Sequence, residues 1–255
     1  MFTGIVQGVA RVESIEAREG LHTLHLKFPQ GFDAELAIGA SVSCDGVCLT
    51  VTERPAPGVA SFDVMAQTLR LTTLGGLMVG SGLNVERAAK EGVEIGGHPL
   101  SGHVDVSARI AEIRRPDNNH VIRFALPAPW MRYVFAKGYI GVNGCSLTVA
   151  EARRERDGSG WFEVWLIPET LRMTTFGDKD VGDAVHIEIE RSTQVVVDTV
   201  RDALDEKLGP LLPVLEAIAA ERGIDITQLA LPKSLCFLDA ARRVLVGGLT
   251  ARFPE

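Results

Sequence analysis

Two copies of one module constrain the fold of this chain more than any other feature. The octapeptide TLRLTTLG at residues 68–75 returns as TLRMTTFG at residues 170–177, an offset of 102 residues. Two further blocks return in the same order at an offset of 98 residues: DGVCLTV at 45–51 as NGCSLTV at 143–149, and TGIV at 3–6 as SGHV at 101–104. Each copy has the size of a small domain and is too long for a solenoid or propeller unit. We therefore predict two homologous domains, residues 1–97 and 98–192, and a separate C-terminal segment, residues 193–255.

The side-chain pattern within each copy is typical of short β-strands. β-branched residues interrupted by polar ones fill residues 9–15, and apolar and polar residues alternate over residues 21–28. The slip of four residues between the offsets of 102 and 98 indicates a longer hairpin loop at 153–160 than at 53–58. Short strands at about 8–12-residue spacing predict a mainly β fold with a small closed barrel in each copy. The polar segment at 68–73 fits either a short helix or a loop.

From about residue 192 onward the pattern becomes helical. Apolar residues recur every four positions among charged ones, which predicts an amphipathic helix that includes Val196, Val200, Leu204 and Leu208. The Gly209-Pro210 pair should end this helix, and residues 213–222 and 234–246 are predicted to form two further helices. The apolar stripe is expected to pack on a second chain; the alternative is that it packs on the barrels of its own chain.

Composition and charge exclude several classes of protein. The chain carries 26 basic and 33 acidic residues, a net charge of −7, and the two signs are interspersed. It therefore lacks the basic face of a nucleic-acid binder. Apolar runs are shorter than the roughly 20 residues of a membrane span, and the first residues lack the cationic and apolar regions of a signal peptide. We expect a cytoplasmic protein that binds neither nucleic acid nor membrane.

The four cysteines are too few for a disulfide scaffold and fit a reducing compartment. Cys44 and Cys48, together with His98 and His103, have spacings like those of zinc ligands. The gap from Cys48 to His98 is, however, longer than the roughly 12–15 residues of a compact zinc finger. We therefore predict no metal site and interpret the cysteines as small side chains on strands.

Several motifs together resemble those of the riboflavin synthase family. They are MFTGIV at 1–6, VCLTVT at 47–52, GGH at 96–98, SGHV at 101–104 and IPETL at 167–171. The resemblance, which runs from residue 1 to about residue 200, implies two tandem six-stranded closed β-barrels. It also implies a C-terminal α-helical segment that helps to assemble a homotrimer, the absence of any cofactor, and lumazine synthase as a further partner.

The activity implied by the resemblance is a dismutation. Two molecules of 6,7-dimethyl-8-ribityllumazine yield riboflavin and 5-amino-6-ribitylaminouracil by transfer of a four-carbon unit. The family places the two reactants between the first barrel of one subunit and the second barrel of its neighbour. Alignment of two reactants removes roughly 7–11 kcal/mol from a bimolecular barrier, whereas one positioned acid or base contributes about 10²–10⁴-fold. We therefore expect the sites to be chiefly binding sites.

Transferred position by position, the binding residues of the family form two sets. The first pocket is expected to use Gly4, Ile5, Val6, Ser41, Cys48, Leu49, Thr50, Asp63, Val64, Met65, Ala66, Gln67 and Thr68. The second pocket is expected to use Gly102, His103, Val104, Lys137, Ser146, Leu147, Thr148, Trp165, Leu166, Ile167, Pro168, Glu169 and Thr170. Glycine lets a backbone approach a flat heterocycle closely, and hydroxyl groups both donate and accept hydrogen bonds. Any one threonine could instead reflect β propensity alone.

Positions that differ between the two copies are the candidates for chemistry. Cys48 stands where the second copy has Ser146, and Ile5 stands where it has His103. Cys48 would act as a nucleophile if its thiolate were stabilised; the alternative is a packed strand cysteine. His103 is a candidate for transfer of a methyl proton, a task that suits a histidine side chain. Ser146 is the hydroxyl counterpart of Cys48 in the second pocket.

Three further residues complete the expected site. Phe2 is expected to close it from a mobile N-terminus. Glu190 is expected to be a catalytic carboxylate at a position where the family usually carries the shorter aspartate. His98, in a Gly-Gly-His turn, is interpreted as a structural hydrogen-bonding residue behind the site.

Two other functions stay open on these residues. A non-catalytic carrier of a lumazine or flavin shares the fold, although such relatives tend to lose the cysteine and histidine of the active pockets. The presence of Cys48, His103 and Ser146 favours the enzyme. A purely structural trimerisation module would have no need of the GGH and SGH motifs.

Overall fold

The computed structural model describes residues 1–222, in which two copies of one β-sheet motif precede a helical segment. Residues 1–194 form one unit and residues 195–255 a second. The helix predicted at residues 234–246 lies outside the described residues. No helix within residues 1–222 has the length and hydropathy needed to cross a membrane.

The first repeat folds into a closed antiparallel barrel. Its strands are β1 Gly8–Arg18, β2 Leu21–Lys27, β3 Ser41–Cys44, β4 Val47–Ala56, β5 Val59–Met65 and β6 Gly82–Arg87. They follow the order β1-β2-β5-β4-β3-β6, and β6 pairs back onto β1 with Gly8 opposite Val85. The alternation seen in the sequence sends one side-chain set inward. These inward residues form a core that includes Leu24, Leu26, Val42, Leu49, Val51, Phe62, Val64 and Leu83.

The second repeat has the same elements, but its sheet is curled and is not closed. Its strands are β7 Val106–Arg114, β8 His120–Leu126, β9 Tyr139–Val142, β10 Cys145–Thr148, β11 Glu151–Arg154, β12 Gly160–Leu166 and β13 Ala184–Ile189. Their order is β10-β9-β13-β7-β8-β12-β11. The edge strands β10 and β11 are the two halves of the strand that corresponds to β4.

The second barrel differs from the expected closed one at residues 149–150, where β10 ends and β11 has not yet begun. In the first barrel the register of β4 against β5 shifts between Val51 and Glu53, yet the strand continues. At the equivalent point of the second repeat, the Val149 amide donates to the carbonyl of Gly138 (2.9 Å) and the Ala150 amide to that of Glu163 (2.8 Å). Consecutive amides thus bond to opposite neighbours, as is typical of a bulge. The first repeat makes the equivalent bond from the Val51 amide to the carbonyl of Ala40 (2.9 Å) within its continuous strand β4. The mainly β fold and one closed six-stranded barrel are confirmed, and the second barrel is open at this bulge.

The helices are short except for one. They are α1 Ala66–Leu71, α2 Ala128–Met131, α3 Pro168–Met173, α4 Arg191–Leu208 and α5 Leu212–Glu221. The segment that fitted either a helix or a loop is therefore the helix α1, and the predicted amphipathic helix is α4. A 3-10 turn at Gly209–Leu211 separates α4 from α5. The predicted longer hairpin is also present, since residues 155–159 connect β11 to β12 where residues 57–58 connect β4 to β5.

The two repeats meet through their β-turns and through exchanged N-terminal segments. Phe2 and Leu100 form an antiparallel bridge with hydrogen bonds of 2.8 and 3.0 Å. A Cβ on Gly46 would lie 2.7 Å from the backbone nitrogen of Gly144, so the two tight turns are in direct contact. Each turn residue has a positive φ, 84° at Gly46 and 75° at Gly144, which glycine adopts without steric cost.

A buried polar network surrounds these turns. The Asn84 side chain donates to the carbonyl of Asn143 (3.0 Å) and accepts from the Thr175 amide (2.8 Å). His186 does the same for the opposite turn: its Nδ1 bonds to the carbonyl of Asp45 (2.7 Å) and its Nε2 accepts from the Thr73 amide (2.8 Å). Because Nε2 is an acceptor here, protonation of the ring would lose a bond, and burial lowers the pKa of His186 to about 4.

Asp45 predicts an unusual pH dependence of stability. Burial raises its pKa to about 7, although the Asn84 amide (2.8 Å) and Lys179 favour the charged form. A carboxyl group with a raised pKa in the folded state stabilises the fold at low pH, and this contribution is lost as the pH rises from about 4 to about 7. Asp45→Asn keeps an oxygen acceptor and matches Asn143 of the other turn. We expect the variant to gain stability relative to the unmodified chain by up to about 1.4 kcal/mol per pH unit in this range.

Urea unfolding of both proteins between pH 4 and pH 8 measures this difference. The lowered pKa of His186 has the opposite effect on the pH dependence of stability. Because His186 is present in both proteins, its effect cancels when their stabilities are compared. Parallel stability curves for the two proteins would show that Asp45 does not titrate in this range.

Candidate active site

Residues predicted for the first pocket form an outward-facing surface on the first barrel, which we call the first face. Strand alternation buries Leu49 and Val51 and turns Cys48 and Thr50 outward. Ser41 pairs with Thr50 on the neighbouring strand. The outward side chains of this face are Ser41, Cys48, Thr50, Asp63 and Met65, and Thr23 donates a hydrogen bond of 2.7 Å to Asp63.

The second face lies at the equivalent place on the second repeat and is more aromatic. Tyr139 pairs with Thr148, and Gly141 pairs with Ser146. The outward side chains are Tyr139, Ser146, Thr148, Trp165 and Ile167, and three of them are large and exposed. Tyrosine stands where the first face has serine, and tryptophan stands where it has aspartate. The two faces therefore share a backbone frame but differ in polarity.

Only part of each predicted run can offer a side chain to a ligand. Leu49, Val64, Leu147 and Leu166 are buried in the barrels, so a ligand could reach only their backbones. Ala66, Gln67 and Thr68 open helix α1, and Pro168, Glu169 and Thr170 open helix α3. Glu169 is engaged by Arg172 on the surface of α3.

The structure corrects the predicted grouping of the two N-terminal segments. The Cys48 amide donates to the carbonyl of Gly102 (2.8 Å), and the Ser146 amide donates to that of Gly4 (2.8 Å). Val104 packs against the core of the first barrel. Gly4, Ile5 and Val6 therefore lie against the second face, while Gly102, His103 and Val104 lie against the first. Cys48 and His103 come together on one face, and Ser146 and Ile5 on the other.

Glycine is required at both crossing points. Gly102 has φ +80°, and a Cβ there would lie 2.6 Å from Cβ of Cys48. Gly4 has φ +74°, and a Cβ there would lie 2.5 Å from Cβ of Ser146. Such contacts are closer than van der Waals packing allows, so any larger residue would displace the strand that carries the candidate catalytic side chain.

Lys137 is exposed and holds a left-handed backbone conformation, with φ +70°, where the first repeat has Gly39. Its amide donates to Val149 (2.7 Å) as the Gly39 amide does to Val51 (2.8 Å). A non-glycine residue at such a φ carries a conformational cost.

His98 lies directly behind Ser146. Its Nδ1 is 2.6 Å from the Ser146 hydroxyl oxygen, and its ring stacks on Tyr139 with 5.3 Å between centroids. The side chain is buried, which lowers the pKa of the imidazole despite the nearby charge of Glu190. Among the described atoms its Nε2 has no hydrogen-bond partner. The expected hydrogen-bonding role of His98 is thus directed at the candidate hydroxyl of the second face.

Cys48 is the half-buried thiol of the described chain, whereas Cys44 and Cys145 are buried. Burial raises the pKa of Cys145 to about 12 and that of Cys44 well above its ordinary value. A reagent or substrate therefore meets Cys48 first. Within residues 1–222 no group of three His, Cys, Asp or Glu side chains is arranged to hold a metal ion.

Phe2 does not have the expected role of a mobile lid. Its backbone pairs with Leu100, its side chain is only 1% exposed, and its ring lies against the Gly102 position. The Phe2 ring therefore supports the first face from behind.

Glu190 caps a helix. It follows β13, and its carboxylate accepts hydrogen bonds from the Ser192 amide (3.0 Å) and from the amide and hydroxyl of Thr193 (both 2.6 Å) at the start of α4. These bonds outweigh burial and lower the pKa of Glu190 to about 2. The carboxylate of Glu190 is therefore engaged in a helix cap and is not free as expected.

Sequence reasoning missed two buried carboxylates, Glu86 and Glu188. Each holds an exchanged N-terminal segment through three hydrogen bonds. Their matched position in the repeat alignment could have identified them as functional. A single glutamate on a strand, however, is usually a solvent-exposed side chain.

The two faces offer complementary chemistry. The first brings together a thiol and an exposed imidazole, which can add to or remove a proton from an electrophilic ring. The second presents a hydroxyl backed by a neutral imidazole and two exposed aromatic side chains suited to stacking. A cleft of about 510 Å³ adjoins this second face at Ile5. Flat heteroaromatic molecules with hydroxylated chains fit both surfaces.

Comparison with known proteins agrees with this chemistry. The lumazine binding domain family matches the chain twice, at residues 3–88 and 101–190. Riboflavin synthase of Escherichia coli K12 is 48% identical over 205 residues, which is 80% of this chain and 93% of that protein. Riboflavin synthase of Mycobacterium tuberculosis H37Rv is 40% identical over 203 residues, 80% of this chain and 100% of that protein.

Solved structures show the same fold. LumP complexed with riboflavin superposes with a TM-score of 0.66 and 24% identity, covering 74% of this chain and 100% of that chain. LumP complexed with 6,7-dimethyl-8-(1'-D-ribityl) lumazine gives a TM-score of 0.65 at 23% identity. Both structures are less than 25% identical to this chain, whereas the two riboflavin synthases above are 48% and 40% identical. The solved structures therefore support the architecture only.

Proposed function

The chain belongs to the riboflavin synthase family, and on that premise we propose that its two faces bind two molecules of 6,7-dimethyl-8-ribityllumazine for conversion to riboflavin and 5-amino-6-ribitylaminouracil. The observation that carries the proposal is the pair of equivalent but unlike faces. A dismutation treats two identical molecules differently, one as donor and one as acceptor of the four-carbon unit. Equivalent backbone frames with different side chains provide that distinction.

The candidate catalytic residues divide between the faces. On the first, His103 takes up or returns a proton of the ring methyl group, and Cys48 lies within the same surface as a nucleophile or hydrogen donor. On the second, the Ser146 hydroxyl is aligned by its 2.6 Å hydrogen bond to His98. Trp165 and Tyr139 are 51% and 56% exposed and available to stack on a ring.

We propose that the faces of two chains meet. Both faces are open and carry exposed apolar side chains, which monomeric proteins seldom leave uncovered in a cluster. These side chains are Ile5, Met65, Tyr139, Trp165 and Ile167. We assign the closed site to the first face of one subunit and the second face of another, within a homotrimer. Alignment of the two reactants there would supply roughly 7–11 kcal/mol of the barrier reduction.

The remaining partners follow from the reaction. Lumazine synthase, which supplies the substrate, is the protein partner expected for this chain. We propose that the reaction takes place in the cytoplasm. The half-buried free thiol of Cys48 fits that reducing compartment. No cofactor is needed, since the ring system of the substrate is itself the electron sink.

Incubation of the purified chain with the dimethyl-ribityllumazine tests the proposal. We expect riboflavin absorbance to appear and the ribitylaminouracil to accumulate in equal amount. Saturable binding without either product would identify a carrier of the same fold. A product yield of one riboflavin per lumazine consumed would exclude a dismutation.

A further inference from the structure

Each exchanged segment that completes a face is held by one buried glutamate. The carboxylate of Glu188, on β13, accepts hydrogen bonds from the amide (2.6 Å) and hydroxyl (2.7 Å) of Ser101 and from the Gly102 amide (3.0 Å). Glu86, on β6, makes the same three bonds at the same distances to Thr3 and Gly4. The side chains of the two glutamates are thus matched in position, burial and partners.

Each glutamate acts on the face of the other repeat. Glu188 belongs to the second repeat, yet the Gly102 that it holds accepts the amide of Cys48 in the first. The Ser101 hydroxyl that it binds also accepts the amide of His103 (3.2 Å). A chain of hydrogen bonds therefore runs from one buried carboxylate to the backbone of both candidate catalytic residues of the first face.

The second face has the corresponding chain. Glu86 holds Gly4, whose carbonyl accepts the amide of Ser146 (2.8 Å). The Thr3 hydroxyl accepts the Ile5 amide (3.3 Å). Burial raises the pKa of Glu86, and its bonds to Thr3 and Gly4 together with the chain N-terminus oppose that rise.

A carboxylate is well suited to this position. Three donors converge on each side chain, and a carboxylate supplies two oxygens and no hydrogen. Glutamine has the same length, but one end of its amide is a donor that would oppose the Gly102 or Gly4 amide. The side-chain NH₂ of glutamine and the backbone N–H of glycine are both donors, so they could not bond to each other. Since both groups are buried, water would not replace the lost hydrogen bond.

We propose that Glu188 is the positioning residue for the Cys48–His103 pair and Glu86 the positioning residue for Ser146, each setting the geometry of a centre carried by the other repeat. The inference rests on the proposed function for its catalytic meaning. Its structural content, that each glutamate controls one face and leaves the other unchanged, is independent of turnover.

Alkylation of Cys48 by iodoacetamide tests the inference without substrate. Glu188→Gln and Glu86→Gln are matched variants in the full chain, and a Cys48→Ser variant identifies the signal of this thiol. We expect Glu188→Gln to change the rate of Cys48 alkylation by about 2- to 10-fold, the factor that corresponds to one lost hydrogen bond. Glu86→Gln should leave this rate within the error of the unmodified chain. Equal changes in both variants, or none in either, would overturn the proposal.

Milder variants keep the test decisive if a glutamine variant does not fold. Ser101→Ala removes one bond to Glu188 and the bond from the His103 amide. Thr3→Val removes the two equivalent bonds, one to Glu86 and one from the Ile5 amide, with little change of shape. The same contrast in Cys48 alkylation is expected, with Ser101→Ala alone altering the rate. In chains that turn over substrate, Glu188→Gln should lower kcat more than it raises KM, whereas loss of thermal stability alone with normal kcat would indicate a purely structural role.

Discussion

Replacing Gly102 by alanine is expected to destabilise the fold of residues 1–194 by about 2–5 kcal/mol and to abolish the reaction. The residue has φ +80°, which costs an L-residue about 1–2 kcal/mol. In addition, its new Cβ would lie 2.6 Å from Cβ of Cys48 and 2.8 Å from the ring of Phe2. Overpacking of this kind costs about 1–3 kcal/mol. The strain falls on the segment that carries His103 and on the strand that carries Cys48.

Gly20→Ala is the matched control. Gly20 has φ +75°, but a Cβ there would meet no atom within 4 Å. Gly20→Ala therefore has the cost of a positive φ but no steric clash. Its free energy of unfolding should fall by only about 1–2 kcal/mol. Urea unfolding measured at one pH gives both values. If the two variants were equally stable, the close approach of Gly102 to Cys48 would not exist in solution.

Replacing His103 by glutamine is expected to reduce kcat by about 10²–10⁴-fold, the contribution of one positioned acid or base. The side chain is exposed, so the free energy of unfolding should change by less than about 0.5 kcal/mol. Glutamine retains the hydrogen-bonding capacity but has no titratable proton near neutral pH. Steady-state rates of riboflavin formation and urea unfolding of the same preparation separate the two effects.

Ile5→Gln is the corresponding change at the equivalent position of the second face. Ile5 has no proton to transfer, so this variant should affect KM more than kcat. A loss of less than tenfold in kcat for His103→Gln, or similar losses of kcat in both variants, would remove His103 from proton transfer.

The sequence predicts the strands well because its periodicity reports directly which side chains are buried. Leu49 between Cys48 and Thr50, for example, has the alternation that the barrel requires. The open edge of the second sheet is not predictable from the sequence, since the interruption at Val149 and Ala150 depends on long-range strand pairing. That pairing is set by tertiary structure, and the two repeats have nearly the same residues there.

Family resemblance predicts the site residues, but it does not predict how the two repeats assemble them. Transferred position by position, the resemblance places the segment at Gly4 in one pocket with Cys48. The hydrogen bonds of Cys48 to Gly102 and of Ser146 to Gly4 cross between repeats, and no local pattern reports such a crossing. The resemblance also implies catalytic roles for Phe2 and Glu190. Their burial and capping bonds became visible only with the fold.

The crossing of the N-terminal segments has a consequence for the ancestry of the chain. A protein with a single repeat could complete its face only with the segment of another copy, and the reciprocal exchange would make a symmetric dimer with two identical half-sites. Any mutation would then alter both half-sites at once. Duplication within one gene removes that constraint, because each half-site acquires its own codons. One half-site can then keep the pair Cys48 and His103 while the other keeps Ser146 and Ile5.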